Sequence, residues 1–159
     1  MAVLLFCGVD KVGKSTLFQA VLKKTNRHIC VDRFTPCQFV YGNHHKKDHP
    51  PIEYLREVEQ ALEDYAGIVY VEAYLDDIVK RFKKHDEKDI EIEDIEKVMR
   101  EYRNYINNTD TLPVLYINTS ISTIERCMED IVLFGDWIDS GEESKYAEIG
   151  PGRILFKSY

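Results

Sequence analysis

The chain has 159 residues, of which 44% are hydrophobic and 31% charged, a balance typical of one globular domain that buries a sizeable core. Its net charge of −7 argues against non-specific binding to nucleic acid, because neutralising phosphates requires a surplus of Lys and Arg. No apolar segment approaches the roughly 18 residues that cross a bilayer, and Met1 leads directly into an apolar strand without a basic leader, so we expect a cytoplasmic protein without membrane contact.

The first predicted strand leads directly into a glycine-rich loop. Residues 2–7 are an unbroken apolar run, residues 8–15 have the pattern G-x-x-x-x-G-K-S, and a predicted helix follows. A strand, this motif and a helix in that order are typical of a phosphate-binding loop, in which backbone N–H groups and the helix N-terminus surround phosphate oxygens. In such a loop Lys14 reaches the terminal phosphates and the Ser15 hydroxyl binds Mg²⁺. The residues predicted to bind the nucleotide here are Gly8, Asp10, Lys11, Val12, Gly13, Lys14, Ser15 and Thr16.

The second predicted strand, residues 28–32, ends in an acid that is followed by a base. Ligands of open α/β sheets bind at the carboxyl ends of the strands, which is where this segment places Asp32 and Arg33. Asp32 can hold Mg²⁺ directly or through water, and Arg33 can grip a phosphate with its fork of donors. A surface ion pair without a role in binding is the alternative interpretation of these two residues.

A polar loop near the site is predicted for residues 42–51, which contain three histidines within six residues. His44, His45 and His49 do not have the spacing of a standard metal site. A solvated loop is therefore favoured over metal binding.

A helix that begins at Pro51 and is capped by Gly67 leads into a third predicted strand, residues 68–73. Two further predicted helices are joined by the charged turn 85–89. A mobile lid over about residues 80–92, with basic groups facing inward, and a solvated helical hairpin are both consistent with this pattern.

The fourth predicted strand covers residues 112–117, and we expect a purine base to rest against Thr119 and Ser120 at its carboxyl end. A capping box over residues 122–125 starts the next helix. The tail, residues 139–159, contains a short apolar run that can form either an edge strand or a segment docked on the body.

Four strands that alternate with helices predict right-handed crossovers and a helix-covered sheet. The predicted fold is therefore a three-layer α/β P-loop fold, with a mostly parallel sheet of about four to five strands and a helical lid, in one domain that covers residues 1–159. The four cysteines contain no C-x-x-C pair, and we expect reduced core residues rather than disulfides or zinc ligands.

Several separated segments resemble the thymidylate kinase family of P-loop nucleoside monophosphate kinases. Residues 8–16 resemble that family's G-x-D-[RK]-x-G-K-[ST]-T. Residues 31–34 resemble its D-R-[YFH] strand end, with Tyr41 where an aromatic residue follows. Residues 70–73, running on to Arg81, resemble the strand that leads to the lid. Together the matches extend over most of the chain's first 125 residues.

On the donor side, the resemblance implies that the protein binds ATP and Mg²⁺. Lys14 and the loop amides would hold the ATP phosphates, and Ser15 and Asp32 would place Mg²⁺. Lys11 would neutralise the transferring phosphoryl group, and Arg81 would act from the lid. Positioning and charge neutralisation supply most of the acceleration of phosphoryl transfer, so a site of this kind needs few other groups.

On the acceptor side, the resemblance implies a deoxynucleoside monophosphate as substrate, most directly dTMP or a pyrimidine analogue. Asp10 would contact the acceptor's sugar hydroxyl or lie beside its phosphate, and Arg33 would clamp that phosphate. Asp32 and Tyr41 complete the residues expected to bind the substrate.

The acceptor side also departs from the family's pattern. The family has a long segment before its D-R strand end that covers the acceptor base, where this chain has a short connection, and the family's aromatic stacking residue and second phosphate-gripping Arg have no counterpart. Three interpretations stay open: loose binding of a free nucleotide, completion of the pocket by a second subunit in a homodimer, and action on a polynucleotide end or a hydroxylated base in DNA. A nucleotide-binding regulatory protein without catalysis is the alternative from a different class.

Overall fold

A computed structural model describes residues 1–84 and 90–141 of the chain. Among these residues, four parallel strands form one sheet. The strands are β1 (Val3–Cys7), β2 (Ile29–Asp32), β3 (Ala66–Glu72) and β4 (Val114–Asn118). Their order across the sheet is β2-β1-β3-β4, so β1 and β3 are central.

Helices cover both faces of this sheet. They are α1 (Lys14–Lys24), α2 (Thr35–His45), α3 (Ile52–Gln60), α4 (Leu75–Phe82), α5 (Ile95–Asn107) and α6 (Ile124–Ser140), with a short 3-10 helix (Ile92–Asp94) before α5. On one face α1 packs against α6, and Phe6 of β1 contacts Phe18 of α1. On the other face α2 packs against α3 and α5, and Tyr70 of β3 stacks on Tyr102 of α5. The predicted three-layer α/β fold with a parallel sheet is confirmed.

The two central strands are almost wholly buried. Because helices cover both of their faces, these strands are continuous apolar runs rather than alternating patterns. Gly67, predicted to cap a helix, instead lies within β3. A Cβ at Gly67 would come within 2.5 Å of the Phe134 ring, so the glycine allows α6 to pack closely against the sheet.

The prediction of a polar loop over residues 42–51 is wrong at its start, because α2 continues to His45. This helix was not expected, since its sequence contains both Pro36 and Gly42. Pro36 lies in the first turn of α2. A backbone N–H at this position would have no acceptor within the helix, so proline costs no hydrogen bond there. A Cβ at Gly42 would lie 2.5 Å from the His49 ring, so the glycine gives room for the returning chain.

The predicted end of α3 and the predicted N-cap of α6 are also wrong. The helix α3 ends at Gln60 instead of continuing to a cap at Gly67, and Tyr65 is 44% exposed in the turn before β3. The cap of α6 is Thr123 rather than Ser122, since the Thr123 side chain accepts a hydrogen bond from the backbone N of Arg126 at 3.3 Å.

The charged turn of the expected lid, residues 85–89, and the tail from residue 142 lie outside the described residues. Cys7, Cys37 and Cys127 are buried and Cys30 is half-buried, and none of the four forms a disulfide. Burial raises the pKa of the Cys7 and Cys37 thiols, which favours their neutral form. Every helix within residues 1–84 and 90–141 is too short or too polar to cross a lipid bilayer.

Candidate active site

The glycine-rich loop lies at the carboxyl end of β1 and leads into α1. Gly8 has φ 145° and Gly13 has φ 94°, conformations that residues with a side chain rarely adopt. A Cβ at Gly8 would lie 2.1 Å from the backbone O of Val71, so the loop can pass the end of β3 only with glycine there. The strand, loop and helix occur in the predicted order.

Two ion pairs connect this loop to the end of β2. β2 pairs with β1 in a register that places Asp32 opposite Phe6. As a result, the Lys14 ammonium contacts the Asp32 carboxylate. The Arg33 Nη2 lies 3.3 Å from Asp10 Oδ1. Asp32 and Arg33 therefore lie beside the loop, as the sequence predicts, and no strand separates β2 from β1.

Arg33 itself has an unusual backbone. Its φ is 64°, in the left-handed region, which costs a non-glycine residue about 1 kcal/mol or more. Its backbone N donates to the O of Phe6 at 3.1 Å, which extends the β1–β2 ladder into this turn. Contacts with the surrounding structure must therefore offset the energetic cost of this backbone conformation.

A first cavity of about 690 Å³ opens from the loop. The residues in its wall that the sequence predicts are Asp10, Lys11, Gly13, Lys14, Ser15, Thr16, Arg33, Arg81 and Thr119. Its remaining lining residues, which sequence reasoning missed, are Val9, Leu17, Ser122, Ile124 and Cys127. Ile124 and Cys127 belong to the start of α6, and the apolar pattern of that helix gives no signal that this end lines a cavity.

Thr119 and Ser120 have different positions, although the sequence predicts the same role for both. Thr119 lines the first cavity, where its Oγ1 donates to the backbone O of Val12 at 2.5 Å. The Ser120 hydroxyl instead accepts from the backbone N of Tyr74 at 2.8 Å, at the start of α4, and its hydrogen bond lowers the pKa of Asp77. Ser120 therefore tethers α4 and does not line the cavity.

The helix α4 carries Arg81 to the glycine-rich loop. Ile78 and Phe82 bury one side of this helix, and the Arg81 Nη1 donates to the backbone O of Lys11 at 3.0 Å. Lys80, the neighbouring basic residue, is exposed and lies 3.7 Å from Asp77. Of the basic residues expected in the lid, Arg81 thus faces the loop and Lys80 faces outward.

A second cavity has a volume of about 380 Å³, and Arg33 lines both cavities. Tyr41 forms part of its wall, and the Tyr41 hydroxyl accepts from the backbone N of Asp10 at 3.1 Å. Burial and the nearby Asp10 charge raise the pKa of Tyr41, so this phenol stays protonated. Sequence reasoning missed one other polar residue in this wall, Gln38. The rest belong to the segment 42–51 that the sequence predicts near the site, and they are His45, Lys47, Asp48 and His49.

The first cavity concentrates positive charge in an acidic protein. Lys11, Lys14, Arg33 and Arg81 all line it, whereas the whole chain has a net charge of −7. Such a concentration of cations in a cleft attracts anions, and a phosphate chain is the ligand that a glycine-rich loop at a helix N-terminus favours.

Comparisons with known proteins show that the fold of this chain occurs in solved structures. No family model matches the chain, and no curated protein matches it. Eight chains of solved structures do match, among them the YorR protein of Bacillus subtilis, solved in complex with phosphorylated GDP. YorR is 19% identical to this chain, with a TM-score of 0.76 over 87% of this chain and 98% of YorR. At this identity, the likeness supports the three-layer α/β fold alone.

Proposed function

We propose that this protein is an ATP-dependent kinase that transfers a phosphoryl group to a deoxynucleoside monophosphate, most directly dTMP or a pyrimidine analogue. The observation that carries the proposal is the position of Arg33 in the shared wall of the two cavities. A donor in the first cavity and an acceptor in the second would bring their phosphates together at this one guanidinium. We also propose that the protein acts in the cytoplasm, because ATP and deoxynucleotides are found in that compartment.

On the donor side, the loop amides and Lys14 would hold the phosphates of ATP, and Arg81 would add its charge from α4. Lys11 would neutralise charge on the transferring group. The Ser15 hydroxyl and the Asp32 carboxylate would supply the oxygen ligands that Mg²⁺ prefers. The ion pair between Asp32 and Lys14 places this carboxylate beside the glycine-rich loop. When bound, Mg²⁺ would supply neutralisation of the phosphate oxygens.

On the acceptor side, Arg33 would clamp the acceptor phosphate and Asp10 would keep the guanidinium in place through their ion pair. The oxygen of a monophosphate is already ionised near neutral pH, so the site needs no general base. Because the phenol of Tyr41 stays protonated, this residue adds no negative charge to the second cavity that would repel the acceptor.

The structural likeness to YorR gives limited support. That protein binds a phosphorylated guanine nucleotide, which is consistent with a nucleotide site on this fold. A second candidate, a kinase that acts on DNA, is favoured by the exposure of Gln38, His45 and Lys47 around the second cavity. Exposed polar and basic groups there leave room for an acceptor that extends beyond one nucleotide.

A panel of acceptors tests the proposal. The purified protein is incubated with ATP, Mg²⁺ and each deoxynucleoside monophosphate, or with oligonucleotides that carry a 5′-hydroxyl or a hydroxymethylated pyrimidine, and ADP release and transfer of labelled γ-phosphate are measured. We expect turnover with a pyrimidine monophosphate. Transfer to oligonucleotides alone would replace the proposal with the DNA kinase, and ATP binding without transfer to any acceptor would replace it with a regulatory nucleotide binder.

A prediction concerns Arg81. Because its guanidinium contacts the loop carbonyl of Lys11, the Arg81→Ala variant is expected to lower kcat/KM for ATP by about tenfold or more. The matched control is Lys80→Ala on the same helix, whose side chain is exposed and points away from the loop. Steady-state kinetics with varied ATP measure the effect, and equal values for the two variants would contradict the assigned position of Arg81.

A further inference from the structure

Glu59 of α3 is a completely buried carboxylate that lines neither cavity. Each of its oxygens accepts hydrogen bonds from side chains, one from Arg56 of the same helix and the others from other parts of the fold. The donors to Oε1 are Thr35 Oγ1 at 2.5 Å and Tyr105 Oη at 2.8 Å. The donors to Oε2 are Arg56 Nη1 at 2.6 Å, Thr109 Oγ1 at 3.0 Å and Thr111 Oγ1 at 3.3 Å.

This carboxylate connects three separate segments. Thr35 begins α2, Tyr105 lies in the last turns of α5, and Thr109 lies in the connection to β4. A buried ion pair is weak evidence for stability, because well-packed apolar residues of similar volume serve at least as well. What the hydrogen bonds add is a fixed geometry, since each donor must lie at a defined position around the two oxygens.

The segment fixed at Thr35 is the one that carries Arg33. Only Phe34 separates Arg33 from Thr35 along the chain. Arg33 is held in its left-handed conformation between the backbone O of Phe6 on one side and Thr35 on the other. Without a fixed point after Arg33, the turn would relax toward an ordinary backbone conformation. The guanidinium would then leave the boundary between the cavities.

We propose that Glu59 is a positioning residue that acts through the Thr35 hydroxyl to hold Arg33 between the two cavities, an inference that rests on the proposed function. Glu59 touches neither nucleotide in this arrangement. Its contribution is the orientation of the acceptor-side arginine, while the phosphate loop itself is held by β1, β3 and Arg81.

The test compares Thr35→Val with Thr109→Val. Both threonines are 2% exposed, both donate to Glu59, and valine keeps the shape while it removes the hydroxyl. We expect Thr35→Val to lower kcat/KM for the acceptor by about tenfold or more, because small misplacements are costly to catalysis. ATP affinity should change by less than about twofold in both variants. Thr35→Ser, which restores the hydroxyl, should recover most of the acceptor-side loss.

Amide hydrogen exchange tests the positioning role of Glu59 without a measurement of catalysis. We expect residues 33–38 to exchange faster in Thr35→Val than in Thr109→Val, because only the first loses the contact next to Arg33. Equal exchange of this segment in the two variants would overturn the positioning role, even if the wild type is an active kinase. A wild type that phosphorylates no acceptor would overturn the proposed function, whereas faster exchange confined to Thr35→Val would still support the link from Glu59 to Arg33.

Discussion

Replacing Lys14 with alanine is expected to lower kcat/KM for phosphoryl transfer by about 10²–10³-fold, the usual effect of removing one donor to a developing charge. Lys14 is 6% exposed, lies in the first turn of α1 and faces the first cavity. Lys11 lines the same cavity, but its backbone has φ 64° and its carbonyl accepts a hydrogen bond from Arg81, so it occupies a different position in the loop. Steady-state kinetics measure the change in turnover, and calorimetry measures the change in ATP affinity.

Lys24→Ala is the matched control for this variant. Lys24 ends the same helix, is exposed and points away from the cavity, so its loss should leave activity within about twofold of the wild type. The Lys14→Ala variant should keep its circular dichroism spectrum, because the Asp32 side chain that loses its partner is 35% exposed and can be hydrated. Wholesale unfolding, or full activity, would contradict the role assigned to Lys14.

Glu59→Gln is expected to lower the free energy of unfolding by about 3–5 kcal/mol, the cost of breaking a buried, hydrogen-bonded charge pair. The amide keeps one acceptor oxygen but presents an NH₂ group to donors that need a lone pair. The Arg56 guanidinium, which also lies over the Tyr105 ring, would lose its counter-charge. Urea denaturation followed by circular dichroism measures the change.

The control is Glu57→Gln, two residues away on the same helix and exposed to solvent. Surface substitutions of this kind change stability by about 0.5 kcal/mol or less. If Glu59→Gln were as mild as Glu57→Gln, the hydrogen bonds around Glu59 would not be formed in solution.

The parts of the site that the sequence predicts are those fixed by local rules. The glycine-rich loop follows from one motif between a strand and a helix. Asp32 and Arg33 follow from the rule that parallel strands bring their carboxyl ends to one edge. The structure places both residues at that edge, beside the loop.

The parts that sequence reasoning missed depend on distant partners. Glu59 is bound by Thr35, Tyr105 and Thr109, which are 24, 46 and 50 residues away in the chain. A glutamate on a short amphipathic helix is ordinarily a solvated residue, and no local pattern marks it as buried. Ser120 was misplaced for a similar reason, since only the packing of α4 turns its hydroxyl toward Tyr74.

The pairing of Lys14 with Asp32 has a thermodynamic consequence. Asp32 pairs with the ammonium that, under the proposed function, would bind a phosphate oxygen, so a triphosphate bound there would displace this carboxylate from Lys14. The displaced Asp32 oxygens would then be available to the divalent cation that the proposal places beside the nucleotide. Nucleotide and metal affinities should therefore rise together and by the same factor, because linkage between two bound species is reciprocal.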